Sequence, residues 1–117
     1  MRHEPRQYLE DILQCILELE LTVGGLSLDT YKEVFQLRRT CEREFIIIAE
    51  ALARIAAISP DLNTRVDNVK KIASFRNVIV HDYFHVDDDY VWKVIHDSVP
   101  ILKLQISQWA AELDRNP

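Results

Sequence analysis

The feature that most limits how this chain can fold is the stretch from Thr30 to Ile58, which holds neither glycine nor proline. Val34, Leu37, Cys41, Phe45, Ile48, Leu52, Ile55 and Ala56 recur along it, mostly at steps of three and four. A helix turns once every 3.6 residues, so this spacing gathers the apolar side chains into one stripe. The stretch reads as one long helix, or as a short helix followed by a long one.

The flanking sequence has the same period. Pro5 suits the first turn of a helix, and Tyr8, Leu9, Ile12, Leu13, Ile16, Leu17 and Leu19 follow at helical spacing. Gly24-Gly25 stops that helix, one glycine being suited to the left-handed conformation that ends many helices. Ser27 or Asp29 can cap the next start. Ser59 is a candidate cap for a further element, with Pro60 at its first helical position. The polar run from Asn63 to Asn68 reads as a loop or a short turn of helix.

From Lys70 to about Tyr83 the chain reads as helix. The β-branched Val78-Ile79-Val80 would suit a strand, but a lone strand here has nothing to pair with. Asp87-Asp88-Asp89 supplies a cap and favourable charge for a last helix. That helix carries Val91, Trp92, Val94, Ile95, Ile101, Leu102, Leu104, Ile106 and Trp109, and Pro100 kinks or divides it. The fold class is all-α: four to five antiparallel helices with short connections, an up-and-down bundle. No repeat or linker interrupts the chain, so residues 1–117 read as a single domain.

Composition narrows the function classes. With 48% hydrophobic residues the chain can bury one core without covalent staples. Cys15 and Cys41 lie in apolar helical contexts and read as small buried hydrophobes rather than a disulfide, and no zinc-type spacing occurs. A net charge of −5 argues for solubility and against a dedicated polyanion-binding surface. A local basic groove can still sit on an acidic protein, so RNA remains open as a transient substrate. The start, MRHEPRQYLEDILQ, is too charged for a signal peptide. The longest apolar run is far short of the ~20 residues of a membrane span. These features point to a cytoplasmic, reduced protein with no membrane partner.

The chemistry concentrates in 75-FRNVIVHDYF-84. On a helix of about 100° per residue, with Arg76 at the origin, Asn77 falls near 100°, His81 near 140° and Tyr83 near −20°. Ile72, Phe75, Val78 and Ile79 fall on the other side, between about 200° and 320°. One face is therefore a core stripe, and the opposite face carries Arg, Asn, His and Tyr. Val80 and Ala73 lie among the polar set, which suggests that this face packs on something, most economically on a second copy of the same helix. Histidine suits proton transfer near neutral pH. The arginine fork suits a phosphate, and asparagine can orient either. Together they fit attack on a phosphodiester. The plainer reading is a helix-face histidine and an arginine paired with a nearby acid.

Arg76-Asn77, three residues, then His81-Asp82-Tyr83 matches the R-x4-H-x-Y form of the HEPN superfamily ribonuclease motif. It resembles in particular the HepT-like toxins, whose partners are minimal nucleotidyltransferase antitoxins. Glu42-Arg43-Glu44-Phe45-Ile46-Ile47-Ile48-Ala49-Glu50-Ala51 resembles that family's E-R-x-L-x-I-I-G-E-A helix. Val91-Trp92 and Pro100-Ile101-Leu102 resemble its V-W and L-P-x-L landmarks. The resemblance covers nearly the whole chain, with two departures: Ala49 stands where the family has glycine, and the Trp-x-x-Ile ahead of the motif is replaced by Thr64-Arg65-Val66-Asp67-Asn68-Val69.

The resemblance implies an all-helical homodimer with two R-x4-H motifs facing one cleft. It implies metal-independent RNA cleavage by Arg76 and His81, with Asn77 shaping the site and no cofactor. It also implies that Tyr83 is the residue a nucleotidyltransferase antitoxin would modify with AMP. The alternative is the same bundle, catalytically idle, serving as partner or substrate of such a nucleotidyltransferase.

Other residues have competing readings. His81 and His85, with Asp82, Asp87, Asp88 and Asp89 close by, could ligate a metal, but the helix is expected to end near Phe84 and the aspartates to open the next one. His3 and His96 have no companion pattern and read as surface residues. Arg43 and Glu50 share a face of the long helix, with Arg39 one turn before. They form either a salt-bridged stripe or a rim of the cleft with RNA contacts from Arg39 and Arg43. Lys70 and Lys71 read as solvated, with phosphate contact the sharper option. Tyr90, Trp92 and Trp109 read as core rather than base-stacking platforms.

Overall fold

The computed structural model describes residues 5–115, with Tyr83 described by its backbone alone. The described residues form α1 (Pro5–Val23), α2 (Leu28–Glu33), α3 (Phe35–Ile58), α4 (Leu62–Arg65) and α5 (Val69–His81), followed by a 3-10 turn (Tyr83–His85), α6 (Asp88–Asp97) and α7 (Val99–Arg115). The all-α class is as the sequence indicates. His3 lies outside the described residues.

Local chemistry sets most of the boundaries. Gly25 takes φ 78°, the left-handed region that a side chain resists. A Cβ on Gly24 would sit 2.8 Å from the Glu20 carbonyl oxygen, so this position also demands glycine. The Ser27 hydroxyl accepts the Thr30 N–H at 3.1 Å and caps α2. Val34 is extended and breaks the Thr30–Ile58 stretch into the short-plus-long arrangement. Asp87 caps α6 by accepting the Tyr90 N–H at 3.2 Å. Pro100 lies in the first turn of α7; α6 ends at Asp97 and α7 begins at Val99, with Ser98 between them in right-handed helical backbone.

Ser59 and Pro60 depart from expectation. Ser59 closes α3, its N–H bonding to the Ile55 carbonyl at 2.8 Å. Its hydroxyl accepts the Asp61 N–H at 3.3 Å, so Ser59 and Pro60 shape the reversal and α4 begins only at Leu62.

Packing centres on α1 and α3. Leu9, Ile12, Ile16 and Leu19 meet Phe45, Ile48, Leu52 and Ile55 in one buried cluster. Burying each such side chain stabilises by roughly 1.5–3 kcal/mol. Arg6 pairs with Asp114, and Glu20 with Lys103 at 3.0 Å. Rising numbers on α1 meet falling numbers on α7, so the two are antiparallel. On the other flank Glu50 faces Arg76, while Ile46 shares a groove with Ile79 and Val80. α5 is therefore antiparallel to α3. Phe75 sits edge-on to Phe45 (5.1 Å between centroids) and to Tyr90 (5.5 Å), joining α3, α5 and α6. α1, α3, α5, α6 and α7 thus make up the bundle, with α2 and α4 as short connectors. Cys15 and Cys41 are free and buried. Among the described residues no helix is long and apolar enough to cross a membrane.

Candidate active site

α5 lies at the flank of the bundle and packs chiefly on α3. Ile72, Phe75 and Ile79 are its buried stripe. Val78, expected in the core, is 51% exposed. On the wheel it stands about 60° beyond Phe75, where α6 leaves a pocket of about 310 Å³ lined by Val78, Phe75, Lys71, Val86 and Tyr90. One long neighbour covers less of a helix than the wheel assumes.

The opposite face of α5 is open. Ala73, Asn77, Val80 and His81 are exposed and Arg76 is half-buried. Arg76 makes two contacts. Its Nη2 lies 3.6 Å from Glu50 Oε1 on α3, and its Nη1 donates to Asn77 Oδ1 at 3.2 Å. His81 is the last residue of α5. Five helical steps, with four residues between, set it about 140° around the axis from Arg76 and about 7.5 Å along it. The two share a face without converging on one point.

Tyr83 does not continue the wheel. Asp82 leaves the helix at φ −144°, ψ 43°, its N–H still bonded to the Val78 carbonyl at 2.9 Å. The Asp82 carbonyl then accepts the His85 N–H at 2.9 Å, and its carboxylate meets His85 Nδ1 at 2.8 Å. Tyr83 therefore opens a 3-10 turn, and the helical register that set it beside Arg76 ends two residues earlier. The side chain of Tyr83 lies outside what is described.

Across from α5, Arg39 and Arg43 line a groove of about 300 Å³ with Glu42, Ile46, Ile79 and Val80. The Arg39 guanidinium donates to both Glu42 oxygens, at 3.0 and 3.1 Å. Glu42 is buried, and that burial pushes its carboxyl upward while Arg39 opposes the shift. Arg39 and Arg43 line this groove, and Glu50 stands against Arg76. Glu42 and Ile46 are contributors that spacing missed. The Arg39–Glu42 step of three was the available signal for the first.

Trp109 is buried, with Arg65 5.9 Å over its ring. Trp92 is half-buried between Tyr31 and His96, and Tyr90 is 39% exposed against Phe75. Lys71 bonds to Ser98 at 3.4 Å and Lys70 is exposed.

An all-helical bundle with an R-x4-H face on an open flank helix defines a recognisable class. The chain belongs to the ribonuclease HepT-like family, whose model matches residues 12–109. It is 32% identical over 104 residues to a protein of Caldanaerobacter subterraneus subsp. tengcongensis named as a candidate RNase, covering 89% of this chain and 92% of that one. It is 28% identical over 107 residues to a Thermococcus cleftensis protein named as a probable ribonuclease HepT, covering 88% and 93%. A Methanocaldococcus jannaschii protein named as a gamma-glutamylcyclotransferase and candidate RNase is 27% identical over 118 residues, which span 99% of this chain and 52% of that protein. No solved structure gives a significant match.

Proposed function

We propose that this chain is a metal-independent endoribonuclease of the cytoplasm. It would cut RNA in a cleft between two copies, as the toxin of a pair whose antitoxin is a minimal nucleotidyltransferase. The observation that carries the reading is the open α5 face, where Arg76 and His81 stand beside exposed Ala73 and Val80. The names of the relatives support RNA as substrate.

In the proposed reaction the RNA 2′-hydroxyl attacks the adjacent phosphorus and the bond to the 5′-oxygen breaks. The products are a 2′,3′-cyclic phosphate and a 5′-hydroxyl. His81 takes the 2′-hydroxyl proton or gives one to the leaving oxygen. Arg76 stabilises charge building on the non-bridging oxygens, held by Glu50 and Asn77. Arg39 and Arg43 offer phosphate contacts in the neighbouring groove.

A single α5 does not aim Arg76 and His81 at one phosphate, which supports a dimer. Two copies of this face about a two-fold axis would bring the His81 of one chain toward the Arg76 of its partner. Tyr83 opens the turn that follows α5 and Asp82, and in this reading it is the residue the antitoxin would modify with AMP to block cleavage.

The test is cleavage of RNA by purified protein in EDTA, with His81→Ala alongside. Cleavage by the wild type alone, leaving cyclic phosphate ends, is expected. Equal cleavage by both proteins would remove His81 from the mechanism. An inactive, dimeric wild type with no AMP on Tyr83 would favour a binding module.

A further inference from the structure

The seam between α1 and α3 holds a group of side chains that the ribonuclease reading does not use. Cys15 and Glu18 lie one turn apart on α1, and Glu44 meets them from α3. A sulfur and two carboxylate oxygens, one atom from each residue, all lie within 4.8 Å of one another. Among the described residues no other three His, Cys, Asp or Glu side chains come this close. Cys15 and Glu44 are only 5% and 7% exposed, while Glu18 is open to solvent. The Glu44 carboxyl interacts with Glu18 and Cys15, yet its Oε2 is fully buried without a hydrogen bond of ordinary geometry. A buried acceptor left unpaired costs about 1–3 kcal/mol, so a native structure that keeps one calls for an explanation.

We infer that Cys15, Glu18 and Glu44 form a binding site for a zinc-type divalent cation that clamps α1 to α3. Zinc takes thiolate and carboxylate ligands at about 2.0–2.3 Å in a tetrahedron, which sets neighbouring ligand atoms roughly 3.5 Å apart. Three atoms within 4.8 Å need close by only about an ångström. Glu18, exposed on α1, can supply that movement by a change of rotamer. The fourth position falls to water. One sulfur with two oxygens suits zinc or cobalt, whereas magnesium and calcium ask for oxygen alone.

Without a cation the group holds protons instead. Burial, then the nearby Glu44, pushes the Cys15 thiol up to about 12. Burial, then Glu18, pushes the Glu44 carboxyl up to about 7. Metal binding therefore sends the thiol proton to solvent as the sulfur–metal bond forms. A carboxyl–carboxylate pair sharing a proton is the competing account of the same geometry. The cation site is independent of the ribonuclease reading, because nothing in it involves Arg76 or His81.

The native protein, stripped with chelator and desalted, is titrated with Co2+. One equivalent should bind, with a thiolate-to-cobalt charge-transfer band in the near ultraviolet, and Zn2+ should displace it. Cys15→Ser should abolish the band, and Glu44→Gln should weaken binding at least tenfold. Glu18→Gln changes an exposed residue, keeps the fold, and should also weaken binding. Cys41→Ala should leave the band in place. Absence of a band in the native protein would overturn the proposal in favour of the shared proton. A band that survives both Cys15→Ser and Glu18→Gln would overturn it by placing the ion elsewhere.

Discussion

Arg76 on α5 and Glu50 on α3 face each other across an antiparallel seam, Nη2 and Oε1 standing 3.6 Å apart. The Arg76 and Glu50 side chains are 34% and 57% exposed. Such a pair contributes roughly 0–1 kcal/mol to stability. Its consequence is orientation: with Asn77 accepting from the other nitrogen at 3.2 Å, the guanidinium is held at two points. Glu50→Ala should therefore change Tm by no more than about 2 °C, in keeping with a surface change of this size. It should lower RNA cleavage about tenfold, a loss of about 1.4 kcal/mol of transition-state stabilisation. Glu50→Gln, which keeps a polar oxygen facing the guanidinium but loses the charge, should recover part of the rate. Unchanged cleavage in Glu50→Ala would show that Arg76 needs no such support.

Arg76→Lys keeps the charge and loses the fork. A lysine is a point charge that cannot hold two phosphoryl oxygens at once. RNA binding at low salt should stay within about twofold, because it follows charge, while cleavage falls by about 10²-fold, the scale seen when one stabilising donor is lost. A filter-binding assay beside single-turnover cleavage separates the two. Equal losses in both would mean that Arg76 only attracts RNA.

Much of this was legible in the sequence because local rules decided it. The apolar period gave α1 and α3, while Gly24-Gly25, Ser27 and Asp87 marked their own caps. The polar face of α5 followed from the wheel. Val78 did not, because a wheel assigns a stripe without knowing how many helices cover it. Tyr83 did not either, since the Asp82 backbone ends the helix and no apolar period reports that. The Cys15–Glu18–Glu44 group joins two helices through residues 26 positions apart at their nearest, and no spacing rule links such distant positions.

The misread position offers a direct check. Ile79 is 2% exposed and Val78 is 51% exposed, although they are neighbours in the same apolar run. Ile79→Ala should cost about 2–5 kcal/mol through lost burial and the cavity left behind. Val78→Ala should stay within about 0.5 kcal/mol, as surface changes do. Urea unfolding of the two variants reads the difference. Comparable losses would put Val78 back in the core.

Alkaline pH should unfold this protein through the α2–α3 core. Cys41 is fully buried, and burial, then Glu42 and Glu44, pushes its thiol from 9.0 up to about 12. Tyr31 beside it is also fully buried, and burial, then Cys41, pushes its hydroxyl upward too. Both groups keep their protons in the folded chain at a pH where the unfolded chain releases them. A folded pKa above the unfolded one gives stability that is complete below pH 9 and is lost as pH rises toward 12. Tm should therefore fall steadily above pH 9, and Cys41→Ala should make that fall shallower. At pH 8 a thiol reagent should modify Cys41 only as fast as the protein opens, because the thiolate is the reactive form and neither it nor the reagent is accommodated in the core. Labelling of the native protein at the rate of a free cysteine, or a Tm that stays level to pH 11, would place Cys41 in solvent and contradict the packing of α3 described above.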